Sequence, residues 1–281
     1  MALSYCVLAS GSSGNCLWVR GGGVQILVDC GVSARMVGRR LAEVGGAIED
    51  VQAVVCTHGH GDHVMGASVL ARKHDLDVFA TAGTAQALPS GMPNERLKPL
   101  PYGGTLCLGG LTIETVPTSH DAPQAVAVRI SDGETSFGVI TDHGQPTPTI
   151  AKAFRGLDGL LLESNHDVQM LLDGSYPERL KRRIRGNWGH LSNEQSAALL
   201  AELLHDGLQH LTLGHISEHN NTPELARAAT EGLLEKRGGV APRLAVALQR
   251  KVGQVITLAP GGRLQPRKAM QLAFAFGKLA G

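Results

Sequence analysis

The sequence predicts a layered α/β fold, with strands followed by helices and the strands grouped in each half of the chain. Three observations carry that expectation. Short apolar runs of strand length recur throughout, most of them closed by glycine or a polar turn. Helix starts are marked by Ser33, by Ser192 with Gln195 as a capping box, and by Thr222-Pro223. Five apolar runs end in a group able to bind a metal or move a proton.

In order along the chain, residues 3–8 read as a strand that runs into the small-residue turn 9–15. Residues 16–19 and 24–28 follow as strands, the second ending at Asp29-Cys30-Gly31. Ser33 caps a helix that stops near Gly45-Gly46. Residues 51–56 form a short buried strand and 64–73 a helix, with Thr57-His58-Gly59-His60-Gly61-Asp62-His63 between them. Residues 78–80, 105–116, 137–140 and 157–162 are strand-like. The capping-box helix runs to about His205 and Gly207 stops it; 211–213 is another buried strand, and Thr222-Pro223 opens a last long helix.

Composition bounds the function. A chain of 281 residues with 43% apolar content has ample material for a core, and its net charge of +1 selects no partner class. There is no repeat, no low-complexity block and no linker, so one domain is expected over 1–281. No run approaches the roughly 18 apolar residues of a membrane span, and no charged-then-apolar leader opens the chain. The five cysteines lack zinc-knuckle pairing and lie beside apolar residues or at strand ends, as reduced, mostly buried thiols of a cytoplasmic protein do.

The segment 57–63 dominates the chemistry. Three imidazoles and a carboxylate in so short a stretch form the donor set that zinc, manganese and iron accept. It follows a strand, where open sheets usually place their sites. Four further apolar runs end at His120, Asp142, Glu163 and His215. A lone histidine at a strand end is ordinarily a surface or core residue; beside a cluster that needs partners, the group reads as a site. His58, His60 and His120 would surround one ion, Asp62, His63 and His215 a second, with Asp142 bridging. Seven ligands leave open positions, the mark of a catalytic rather than a structural site. Water bound there becomes acidic enough to supply hydroxide near neutral pH.

These residues and their order resemble the metallo-β-lactamase superfamily over nearly the whole chain. The resemblance implies a four-layer αβ/βα sandwich with two metals at the sheet edges. Residues 8–16, Asp29-Cys30-Gly31, Ser119-His120-Asp121, 162–167, 189–193 and 220–224 resemble the YycJ/WalJ group, which is related to ribonuclease Z and PhnP-type phosphodiesterases. The group implies a dinuclear phosphodiester hydrolase, a nuclease of 5′ exonuclease type on DNA, acting through a metal-bridging hydroxide. The alternatives are a cyclic phosphodiesterase of the phosphoribosyl type, with a small phosphodiester as substrate, and a catalytically silent nucleic-acid-binding scaffold. An aspartate at 142 speaks against antibiotic hydrolysis. Only 26 residues separate Glu163 from His190 and 21 separate His120 from Asp142, too few for the inserted domains of ribonucleases J and Z.

The resemblance to ribonuclease Z implies roles for Glu163 and His190: a histidine held by a carboxylate stays partly protonated and can donate to an alkoxide leaving group. The competing reading is an ordinary hydrogen bond to a metal ligand. Asp62, Glu163 and His190 are thus the expected catalytic groups, Asp62 doubling as a ligand. Asp29 reads as structural, bonding the backbone near the metal loops. Ser12, Ser13 and Asn15 can face substrate from the first turn; His166 and Asp167 suit either support of the site or a plain loop. Residues 179–185 hold five cations in seven positions. Such a run is ordinarily a solvated helix face; its closeness to His190 makes a phosphate-gripping patch the alternative.

Overall fold

A computed structural model describes residues 2–261; the expectation of one domain over 1–281 extends into 262–281, which lie outside the described residues. The first half opens with the antiparallel strands β1 (Ser4–Ala9), β2 (Cys16–Gly21) and β3 (Val24–Val28). Helix α1 (Ala34–Glu43) starts where Ser33 accepts from Met36 N. Strand β4 (Ala53–Val55) pairs parallel with β3, and the site loop follows it into the one-turn helix α2 (Gly61–Val64) and then α3 (Ala67–His74). Strand β5 (Asp77–Ala80), helix α4 (Ala82–Ala87) and edge strand β6 (Leu97–Pro99) complete this half.

The second half begins with the hairpin β7 (Thr105–Leu108) and β8 (Leu111–Pro117), then β9 (Val126–Ser131) and β10 (Ser136–Ile140). Helix α5 (Pro148–Ala153) leads to β11 (Gly159–Glu163), followed by α6 (Val168–Asp173), α7 (Glu178–Arg185) and α8 (Asn193–Leu203). Ser192 and Gln195 form the expected capping box at the start of α8. Strand β12 (His210–Gly214), helix α9 (Pro223–Arg237) and β13 (Arg243–Val246) close this sheet, and β14 (Ile256–Thr257) returns to pair with β1.

The strands lie in two seven-stranded sheets, ordered β14-β1-β2-β3-β4-β5-β6 and β13-β12-β11-β10-β9-β8-β7. Their facing sides share one core that includes Tyr5, Ile26, Val55, Phe137, Val139 and Leu161, and the Tyr5 and Phe137 rings stack at 3.9 Å. The outer face of the first sheet packs against α1 and α3 through Val37, Leu41 and Leu70. That of the second sheet packs against α5, α8 and α9 through Ile150, Leu199 and Ala226. This is the expected four-layer αβ/βα sandwich. Strands 3–6 run parallel, as do strands 10–13, so the carboxyl ends of β4, β10, β11 and β12 gather at one edge.

One expected helix is two. The run 64–73 breaks at Met65-Gly66, because Gly66 N–H donates to Cys30 O at 2.8 Å and a Cβ there would stand 2.2 Å from Val32 O. The loop carrying Asp62 and His63 is thereby fastened to the turns after β1 and β3: Asn15 N–H reaches Asp62 O at 2.8 Å and Cys30 N–H reaches His63 O at 2.7 Å. No helix among the described residues is long and apolar enough to cross a membrane.

Candidate active site

All nine side chains singled out from the sequence converge at the gathered strand ends. His58, His60 and His120 present ring nitrogens within 4.8 Å of one another, and so do the ligand atoms of Asp62, His63 and His215. Asp142 stands between the sets: its carboxylate lies 3.1 Å from His63 Nε2, 3.7 Å from His120 Nε2 and 3.7 Å from His215 Nδ1. Glu163 and His190 adjoin Asp142 and His215 in a further cluster of the same size.

The backbone at these positions is unusual. Asp29, Asp142 and His215 hold φ of 61°, 56° and 54°. The left-handed region costs a residue with a Cβ about 1–2 kcal/mol, less for aspartate, so the surrounding bonds hold these turns in place. At Asp142 the chain leaves β10 and His143 N–H donates to Glu163 Oε2 at 2.8 Å. At His215 the chain leaves β12 and His215 N–H donates to Ser10 Oγ at 2.8 Å.

Three of the imidazoles are aimed from behind. Asp29 accepts from Thr57 N at 2.8 Å and lies 2.8 Å from His63 Nδ1, so it braces the loop and also turns a site ring. That is more than the backbone support expected of it. His120 Nδ1 donates to Gly189 O at 3.0 Å. Thr57 Oγ1 lies 3.1 Å from His58 Nδ1. In each case the opposite nitrogen faces the cluster, the orientation that ligand imidazoles take.

A divalent cation fits this donor set. His58 Nε2, Asp142 Oδ2 and His215 Nε2 are buried with no hydrogen-bond partner, and Asp142 Oδ2 approaches His63 Nε2 without the alignment of a hydrogen bond. Three such atoms facing one space would each cost about 1–3 kcal/mol if nothing met them. Burial works against a charge on His63, yet Asp142 and Asp29 outweigh it and hold the ring well above its usual pKa. Burial is likewise outweighed at His215, which Asp142, Asp62 and Glu163 raise to about 10. Positive charge is therefore favoured at the centre, and a cation can replace those protons.

Glu163 is fully buried, and burial alone would raise its pKa; His190 and His215 bring it down to about 2. Its Oε1 accepts from His190 Nδ1 at 2.8 Å and from His215 Nδ1 at 3.1 Å. One carboxylate thus serves both the candidate proton donor and a candidate ligand, so the two readings of the pair coexist. The loop that presents His190 rests on the end of α7: His190 N–H donates to Ile184 O at 2.9 Å, and a Cβ at position 189 would stand 2.1 Å from that carbonyl.

Other residues fall elsewhere than expected. Asn15 points inward, its Nδ2 2.9 Å from His63 Nε2, whereas Ser12 lines the cavity beside His190 and Ser13 is exposed. Asp167 caps α6 through Met170 N, and His166 is buried, which lowers its pKa to about 4. The cationic run divides. Lys181 is buried and donates to Leu172 O at 2.6 Å, Arg183 binds Asp121 at 2.5 Å, and Arg179, Arg182 and Arg185 are exposed. Asp121 has no role in the sequence reading, yet its Oδ1 lies 3.6 Å from both His60 Nε2 and His120 Nε2. Its position directly after His120 was the available signal. His143 is also buried against Glu163, and only its adjacency to Asp142 marks it.

The β-lactamase superfamily domain matches residues 25–216. The chain is 35% identical to the exodeoxyribonuclease YycJ of Bacillus anthracis over 241 residues, 85% of this chain and 91% of that one. It is 37% identical to the exodeoxyribonuclease WalJ of Streptococcus pneumoniae over 231 residues, 80% and 86% of the two chains. Among solved structures, zinc-bound PqqB from Methylobacterium extorquens superposes with a TM-score of 0.67 at 17% identity, covering 91% of this chain and 100% of that one, which shows a shared fold. With its two-sheet sandwich, its clustered histidines and carboxylates, and relatives of this coverage, the chain belongs to the β-lactamase superfamily of metal-dependent hydrolases, in the group of YycJ and WalJ.

Proposed function

We propose that this protein is a metal-dependent exonuclease that removes nucleotides from the 5′ end of DNA, using two divalent ions, with zinc the first choice and manganese or iron accepted. The two sheets share one core and both feed the site, which supports a single domain over 1–281. The observation that carries the reading is the juxtaposition of seven candidate ligands, His58, His60, Asp62, His63, His120, Asp142 and His215, with the Glu163–His190 pair beside them. The names of the relatives at 35% and 37% identity give it its substrate.

Divalent ions held there polarise a phosphoryl oxygen and acidify water. The chain supplies the rest. Asp142 and Asp62 place negative charge where the cations are to sit. His190, at the mouth with 21% of its side chain exposed, gives a proton to the departing oxygen, and Glu163 fixes its ring through Nδ1. The packed edge around His58, His63 and His215 keeps bulk water from the centre.

The small size of the cavity beside His190, about 230 Å³, favours a second reading, hydrolysis of a small cyclic phosphodiester. One assay decides: zinc- or manganese-loaded protein against single-stranded DNA, RNA, cyclic nucleotides and bis(p-nitrophenyl) phosphate. Release of mononucleotides from the 5′ end of DNA is expected. Turnover of cyclic nucleotides alone would move the second reading ahead.

A further inference from the structure

We infer that the cavity between α7 and His190 holds the 5′-terminal nucleotide of the substrate, its base against an apolar wall and its 5′-phosphate on Arg183. The inference rests on the exonuclease reading and deepens it. At about 230 Å³ the cavity is smaller than the roughly 300–1,000 Å³ of drug-sized ligand sites, so it takes one building block and not a stretch of strand.

Its two sides differ in chemistry. Tyr176, Leu180 and Ile184 form one wall, the last two a single turn apart on α7. An aromatic ring and two branched side chains suit the face of a base, which stacks without regard to sequence. The rest of the lining includes Ser12, Asn165 and Ser217, polar side chains of the size that meets a sugar, and Asp121. Arg183 lies on the same face of α7, three residues after Leu180. Its Nε is taken by Asp121 at 2.5 Å, which orients the guanidinium and leaves its terminal nitrogens without a protein partner among the described residues. A guanidinium tethered through one nitrogen presents the others as a fork, the geometry that matches a phosphate.

His190 lines the same cavity, and this decides which nucleotide belongs there. In 5′ exonuclease cleavage, hydroxide oxygen bonds to phosphorus and the bond from phosphorus to the 3′ oxygen of the terminal nucleotide breaks. That oxygen leaves with the electron pair and takes the proton that His190 holds. The products are a deoxynucleoside 5′-monophosphate and a shortened strand with a new 5′-phosphate. The donor must therefore stand beside the sugar of the terminal nucleotide, and the only phosphate still attached to it is at its 5′ end. Arg183 is the cation of this cavity.

Calorimetric titration of the metal-loaded protein with deoxyadenosine 5′-monophosphate, deoxyadenosine and inorganic phosphate tests the pocket apart from turnover. The monophosphate should bind at least tenfold more tightly than either fragment. Arg183→Met should weaken it at least tenfold while leaving deoxyadenosine unchanged, and Tyr176→Ala should weaken the monophosphate and the nucleoside together. In parallel, 5′-phosphorylated oligonucleotides should be degraded with a lower KM than 5′-hydroxyl ones, and Arg183→Met should erase that difference. Equal binding of phosphate and monophosphate, or an unchanged monophosphate Kd in Arg183→Met, would overturn the assignment. Intact monophosphate binding in a protein that degrades no DNA would leave the pocket standing and remove the nuclease reading instead.

Discussion

Asp142 and His215 follow β10 and β12, the two strands that flank β11 in the second sheet, in the same left-handed conformation, φ 56° and 54°, and their side chains meet at 3.7 Å. The matched turns swing both groups out of the strand direction and toward His63 and Asp62. This geometry separates two effects of changing Asp142. Asparagine tolerates the left-handed region and keeps the turn, whereas alanine loses the ligand and adds about 1–2 kcal/mol of backbone cost. Elemental analysis of the purified protein should find about two ions per chain, the number that two ligand shells sharing one carboxylate would hold. Asp142→Asn should hold its fold and fall to one ion or fewer; Asp142→Ala should lose metal and also melt lower. No bound transition metal after native purification, and none taken up on addition, would refute the two-ion site.

Because His190 and His215 share Glu163 Oε1, substitutions at 190 and 163 should not behave alike. His190→Ala should retain metal and lose roughly 10² to 10⁴ in turnover on DNA, the usual worth of general acid–base help. The loss should shrink on bis(p-nitrophenyl) phosphate, whose leaving group departs unprotonated. Glu163→Gln should show the same split and in addition weaken metal binding, about 10- to 100-fold, by releasing His215. Metal loss in His190→Ala, or equal losses on both substrates, would make His190 a ligand or a structural residue.

Much of this was readable in advance because ligand chemistry and strand ends are local. His58, His60, Asp62 and His63 declare themselves by spacing, and Ser33, Ser192 and Thr222 mark helices through caps that act within one turn. What escaped depends on contacts far along the chain. Helix α4 and helix α5 are six residues each, too short for a 3.6-residue period to show. Strand β6 is three residues ending in Pro99, tolerated only because it lies at a sheet edge. Strand β9 is buried on both faces for most of its length and so lacks alternation. The left-handed turns at Asp29, Asp142 and His215 are imposed by bonds from other segments, and nothing in the neighbouring residue types announces them. Asp121 was hidden for a related reason: its partner Arg183 is 62 residues away.

Asp29 offers a test of how the loop is aimed. Its carboxylate accepts from Thr57 N, Thr57 Oγ1 and His63 Nδ1, all buried. Asp29→Ala leaves those donors without an acceptor, at about 1–3 kcal/mol for each one unmet, so a large fall in Tm is expected. Asp29→Asn keeps one acceptor and suits the positive φ, so it should fold. With its charge gone from His63, metal affinity should drop about 10- to 100-fold. A metal affinity equal to that of the unaltered protein in Asp29→Asn would show that the charge on Asp29 does not reach the site.

The cations of α7 divide into three kinds, and the division can be measured. Lys181 is a structural residue: its buried side chain meets Leu172 O, and Lys181→Met removes that bond at about 0.5–1.5 kcal/mol. Arg183 is held by Asp121 through Nε and belongs to the pocket. The exposed cations Arg179, Arg182 and Arg185 remain to meet a strand passing over the helix. Binding of the slow His190→Ala protein to single-stranded DNA should weaken steeply with salt, each engaged cation adding about 0.7 to the log–log slope. Replacing Arg179, Arg182 and Arg185 with glutamine should flatten that slope by up to about 2 and raise KM for long oligonucleotides. Lys181→Met should instead lower Tm and leave the slope as it was. An unchanged slope in the triple variant would return the exposed arginines to the role of a solvated helix face, and strand binding would have to rest on the pocket and the metal centre alone.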